Sequence, residues 1–107
     1  MELTEGEQIK LDIGSNLKRG LEYVGGKLKI TDKNLYFKPH SLNIQKSDLV
    51  IPIKDVKQID KAKVMGVSPN AVNIKLDNDT CYKFVIGLPW ANKRTEVINY
   101  IKVLMVK

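Results

Sequence analysis

Lys18 and Arg19, followed after a short spacer by Lys27 and Lys29, are the side chains of this sequence best suited to holding an anion. Lysine ammoniums act as point charges toward phosphate, and a turn between the two basic pairs would add backbone N–H donors. The same lysines also fit a half-solvated strand, because Lys27 and Lys29 alternate with Leu28 and Ile30, and surface charges need no ligand. Four basic charges close to an anionic bilayer contribute about 4 kcal/mol, which corresponds to only ~1 mM affinity. Membrane docking through them therefore needs a specific headgroup, avidity or an inserted side chain. Val64, Met65 and Val67, around Gly66, form an apolar stretch that could insert or meet a protein partner, or simply cap a sheet edge.

Reaction chemistry has little support. The single histidine, His40, follows a proline and fits a hydrogen-bonding loop residue better than an acid or base. Cys81, the only cysteine, precedes Tyr82 in a strand-like run with no base nearby in sequence. One cysteine rules out an intramolecular disulfide and a cysteine-based zinc cage. There is no GxxxxGK[ST], HExxH or GxSxG motif. Asp12, Asp55 and Asp77 lie on separate segments and nothing in their spacing requires them to converge. The chain is therefore expected to be non-catalytic, with no metal and no cofactor.

Composition sets the frame for these residues. With 107 residues and 43% hydrophobic content, residues 1–107 fit one compact domain with one core. The net charge of +6 favours anionic partners. The charges are scattered, however, and only Arg19 and Arg94 among 18 basic residues are arginine, so guanidinium forks for nucleic acid are scarce. Tyr36 and Tyr82 beside lysines imitate a base-stacking platform, but Tyr82 is expected to face inward and aromatic content is 7%. No run approaches the ~20 apolar residues of a membrane-spanning helix, and the N-terminus lacks an apolar signal region. The expected location is cytoplasmic, peripheral at a membrane if lipid is bound, and the lysine-heavy composition would suit a bacterial protein.

Alternation supplies the elements that must position these residues. Ile9, Leu11 and Ile13 share one side of a first strand, with Gly14, Ser15 and Asn16 marking a bend or bulge. A strand from Tyr23 to Thr31 follows, then a turn at Asp32, Lys33 and Asn34, then a strand in which Leu35 and Phe37 face inward while Tyr36 and Lys38 face outward. Pro39 to Asp48 suggests a loop, Leu49 to Ile53 a strand that Pro52 pushes to an edge, and Val56 to Val64 another strand. Met65 to Ala71 has the composition of a turn, and a second hairpin pairs Val72, Ile74 and Leu76 with Tyr82, Phe84 and Ile86 across Asn78 and Asp79. The period then changes: Trp90, Arg94, Val97, Ile98, Ile101, Leu104 and Met105 form one helical stripe, with Pro89 at the start. The expected fold is mainly β, a small antiparallel barrel or orthogonal sandwich of about seven strands capped by one C-terminal helix.

These residues resemble the GRAM domain, a module of pleckstrin-homology-like fold, from about Glu5 to Ile101, and most of all its bacterial stand-alone form. Gly25, Gly26, Lys27, Leu28, Ile30, Thr31, Leu35 and Phe37 match its hairpin pattern, which Pro39 and His40 continue. Ile51, Pro52, Ile53, Asp55, Val56 and Ile59 resemble its next strands, Pro69 and Asn70 its proline-asparagine turn, and Tyr82 to Val85 the strand before its helix tryptophan, here Trp90. Asn78 and Asp79 replace the family's aspartate-glycine turn, and Asn34 stands where a basic residue is common. The resemblance implies a binding module for anionic lipids or proteins, and it carries no catalytic residues. Lipid-binding pleckstrin-homology domains use a basic, spacer, basic-x-basic arrangement similar to Lys18, Arg19, Lys27 and Lys29. The alternative is a protein-protein adaptor or self-assembling subunit, using a strand edge near Pro52 or the outer face of the helix. Nucleic acid is the weakest of the three partners.

Overall fold

A computed structural model describes residues 6–19, 22–40, 48–64, 68–87 and 93–106. Seven antiparallel strands form one sheet: β1 (Ile9–Arg19), β2 (Glu22–Thr31), β3 (Asn34–Pro39), β4 (Leu49–Pro52), β5 (Val56–Val64), β6 (Ser68–Leu76) and β7 (Cys81–Ile86). Their spatial order is β4-β3-β2-β1-β7-β6-β5. The sheet curls into a half-barrel whose two edge strands, β4 and β5, are joined in sequence by a 3-10 turn (Ile53–Asp55) but are not paired. The helix α1 (Lys93–Met105) packs against β5, β6 and the 3-10 turn.

Alternation explains which side chains fill the half-barrel. Leu28 and Ile30 of β2, Leu35 and Phe37 of β3, Ile74 of β6, and Phe84 and Ile86 of β7 point inward and are buried. Leu17 of β1 joins them, and Val97, Ile98 and Ile101 close the space from α1, the helical stripe expected from their spacing. The Phe37 and Phe84 rings meet with centroids 5.9 Å apart and a tilt of 56°, a geometry that aromatic quadrupoles favour. At Gly26 the β2 backbone crosses so close to β3 that a Cβ would lie 2.4 Å from the Lys38 carbonyl oxygen and 2.8 Å from the Phe37 ring.

Several local expectations are corrected. β1 runs without interruption through Gly14, Ser15 and Asn16, and its irregularity lies between Ile9 and Leu11, which leaves Ile9 exposed. Ile53 leaves the β4 ladder for the 3-10 turn. Pro69 and Asn70 belong to β6 rather than a turn, because the Asn70 side-chain amide donates to the Gly87 carbonyl at 2.9 Å across the neighbouring strand's end. Pro52 is at a sheet edge as expected. The β6–β7 turn also follows expectation: Asp79 adopts φ 69° and donates its N–H to the Leu76 carbonyl at 2.9 Å. Pro89, Trp90, Met65 and Val67 lie outside the described residues.

Among the described residues no helix is long and apolar enough to cross a membrane. On the α1 side of the β5 edge, the Arg94 guanidinium donates to the Ala62 carbonyl at 2.9 Å.

Candidate functional site

Strand register decides which basic residues share a face. Lys27 lies between Gly14 of β1 and Lys38 of β3, and Lys29 lies between Asp12 and Tyr36. Directly opposed residues of an antiparallel pair point to the same side. Lys18, Lys27, Lys29 and Lys38 therefore share the outer face with Asp12. Lys18 pairs with Tyr23, four residues from Lys27 along β2, roughly 13 Å at the usual strand rise. Arg19, half-buried and of opposite alternation, points to the other side of β1. The structure thus brings Lys27 and Lys29 together, adds Lys38, and keeps Lys18 on the same face at a distance.

The Asp12 carboxylate lies 3.8 Å from Lys27 Nζ, an exposed pair worth at most about 1 kcal/mol. Lys27 directly faces Lys38, and like charges so placed are destabilising. A bound anion would relieve that repulsion. Beside this row, Gly14, Asn16, Gly26 and His40 line a shallow depression of about 280 Å³. The His40 backbone is fixed there by its N–H bond to the Gly25 carbonyl at 3.0 Å.

The outer face ends in a polar cluster that sequence reasoning missed. Tyr36 was expected to face solvent, yet it is buried, because Glu7 lies over it and accepts its phenol hydrogen bond at 2.8 Å. Asn34 Nδ2 donates to the same carboxylate at 2.9 Å, and the Thr31 hydroxyl also donates to it. Thr31 Oγ1 in turn accepts the N–H groups of Lys33 at 3.0 Å and Asn34 at 2.9 Å, which shapes the β2–β3 turn. Burial first, then the hydrogen bond to Glu7 and its charge, push the Tyr36 phenol above its ordinary pKa. The pattern Thr31-Asp32-Lys33-Asn34 signals such a turn, whereas nothing local marks Glu7, whose partners lie 24 to 29 residues away. Among the described residues, no buried side-chain polar atom lacks a hydrogen-bond partner.

The other candidates are dispersed. His40 stands at the row of Gly25, Asn16 and Val85, so three strand-to-strand steps and four residues of β7, roughly 13 Å along that strand, separate it from Cys81. Asp55 and Asp77 are backbone neighbours, the Asp77 N–H donating to the Asp55 carbonyl at 3.0 Å, while Asp12 is engaged on the outer face. Among the described residues, no three His, Cys, Asp or Glu side chains are grouped to hold a metal ion. Val64 ends β5 half-buried.

A curled antiparallel half-barrel closed on one side by a C-terminal helix defines a pleckstrin-homology-like domain, a class that commonly serves as a lipid- or protein-binding module. The chain belongs to the GRAM domain family, whose profile matches residues 1–103. Similar solved structures include the C-terminal domain of an unknown protein from Leishmania infantum, with TM-score 0.77 and 19% identity over 95% of this chain and 87% of that one. The Vps36 N-terminal PH domain is similar with TM-score 0.73 and 11% identity, covering 99% of this chain and 87% of that one. The hSac2 domain from the human phosphoinositide phosphatase Sac2 gives TM-score 0.62 and 10% identity over 97% of this chain and 71% of that one. At such identities the likeness speaks for the fold alone. No curated protein matches.

Proposed function

We propose that this GRAM domain is a non-catalytic module that docks anionic lipid headgroups on the outer face of β1–β3. The observation that carries the reading is the juxtaposition of Lys27 with Lys38, with Lys29 two residues along β2, on a face whose described acids, Asp12 and Glu7, are engaged by Lys27 and by Thr31, Asn34 and Tyr36. Each lysine near an anionic surface contributes about 1 kcal/mol, so the three together reach only millimolar affinity and depend on low salt, avidity or a headgroup fitted beside His40. The separation of His40 from Cys81 supports the non-catalytic half of the reading. Co-sedimentation with vesicles containing phosphatidylglycerol, phosphatidylserine or phosphoinositides at low ionic strength is the test. Binding that falls with salt and is abolished by Lys27→Glu with Lys29→Glu supports it; the absence of binding to every anionic vesicle overturns it. Unchanged binding by the double variant overturns the site while leaving the class intact.

A second reading, a protein adaptor or self-assembling subunit, is favoured by Val50, which is 48% exposed on the short edge strand β4. Light scattering at high protein concentration tests the self-assembling form: a strict monomer removes it.

A further inference from the structure

The half-barrel fails to close between β4 and β5, and the 3-10 turn spanning that seam walls a cavity of about 780 Å³. Pro52, Ile53 and Val56 form one wall, Leu104 and Met105 of the last turn of α1 form another, and Asp32 to Asn34 of the β2–β3 turn make the rim with Lys54. The 3-10 turn is tied to the rim and to the chain just after β6. The Ile53 N–H donates to the Lys33 carbonyl at 2.9 Å, the Asp77 N–H braces the 3-10 turn through Asp55 at 3.0 Å, and Thr31 fixes the rim from below. A volume of this size lies within the range of small-molecule sites, about 300 to 1,000 Å³.

The lining separates into an apolar interior and a cationic mouth. Ile53 and Val56 belong to the buried core cluster, and Leu104 and Met105 are half-buried against it. Lys33 and Lys54 are exposed and, among the described residues, form no ion pair. The one acid of the rim, Asp32, already accepts the Gln8 backbone N–H at 3.2 Å. Tyr100 lies one helical turn before Leu104 on the same side of α1, and burial, then the charge of Asp32, push its phenol above its ordinary pKa.

We infer that this cavity binds a single-chain amphipathic anion, with its alkyl chain among Ile53, Val56, Leu104 and Met105 and its acidic head at Lys33 and Lys54. A purely polar anion would make no use of the half-buried Leu104 and Met105, and a neutral hydrocarbon would make no use of the lysine pair. The site shares none of the outer-face lysines, so it stands or falls independently of vesicle docking.

The experiment is an amide NMR titration of the full chain with monomeric decanoate, with decanol as the neutral probe, octanoate as the shorter one and lauroyl-lysophosphatidylglycerol as the lipid-derived one. Decanoate is expected to shift the amides of Lys33, Ile53, Lys54, Val56 and Leu104 and to bind about tenfold more tightly than octanoate, as two further buried methylenes require. Lys33→Gln with Lys54→Gln, both exposed and harmless to folding, should weaken decanoate severalfold and leave decanol unchanged. Met105→Trp, which narrows the apolar wall, should weaken all the probes, and Lys27→Glu should weaken none. Stronger binding of decanoate than of the lysolipid assigns the cavity to free fatty acids, and the reverse assigns it to membrane-derived amphiphiles. Shifts located elsewhere, equal binding of decanol and decanoate, or no binding of any probe overturns the inference.

Discussion

The two faces of the β2–β3 hairpin are built from the same alternating run and obey different rules. On the inner face, Leu28, Ile30, Leu35 and Phe37 are almost completely buried, and their shape is dictated by neighbours from β7 and α1. On the outer face, Lys27 and Lys38 stand in solvent, while Tyr36, two residues from Lys38, is as buried as a core residue because Glu7 lies over it. Packing therefore fixes the inner face everywhere, whereas the outer face is divided between a free basic area and a locked polar end. Only the free area can be remodelled toward a ligand without loss of the fold.

Mutations ordered by expected effect probe that division. Phe37→Ala should cost about 3 to 5 kcal/mol in urea unfolding, because it removes a fully buried ring and its contact with Phe84. Gly26→Ala should cost about 1 to 3 kcal/mol, since the new Cβ is forced against the Lys38 carbonyl and the Phe37 ring; a stability equal to wild type would show that β3 yields at this crossing. Tyr36→Phe keeps the ring but deletes the donor to Glu7, at a cost of about 1.5 to 3 kcal/mol. A loss near zero there would reduce the polar end to ordinary surface. Lys29→Gln should change stability by less than about 0.5 kcal/mol while lowering vesicle binding, so a large destabilisation would erase the contrast between the two halves of the outer face.

The tyrosines also give this contrast a pH dependence. Tyr36 and Tyr100 hold their protons more tightly when folded, so the unfolded chain loses them first as pH rises. Stability should be level with respect to these groups below about pH 10, the ordinary tyrosine value, and should fall as pH climbs through the raised folded values. Tyr36→Phe should remove part of that alkaline slope, as read by urea midpoints on either side of pH 10.

Legibility in the sequence followed the range of the interactions. The alternation at Leu28, Ile30, Leu35 and Phe37 and the helical spacing of Val97, Ile98 and Ile101 are local, and each predicted its buried side correctly. Asp79 was legible for the same reason, since its left-handed conformation is a property of its own backbone. Pro69 and Asn70 misled because an amide-to-carbonyl bond made 17 residues away overrides the turn propensity of the pair. Glu7 was invisible in a polar N-terminal stretch, its significance conferred wholly by Thr31, Asn34 and Tyr36. For the candidate site, alternation gave Lys27 and Lys29 their face, but neither the addition of Lys38 nor the turning away of Arg19 follows without the register.

The bond from Arg94 to the Ala62 carbonyl bears on how the protein behaves in a crowd. An open sheet offers β5, nine residues long, as a template on which a second chain could extend the ladder. At Ala62 an incoming strand must first displace a guanidinium, and along the rest of the edge it meets the exposed Lys57, Lys61 and Lys63. A ladder growing from this edge is thereby obstructed by one arginine and three lysines, which leaves β4 as the edge where a second chain meets less resistance.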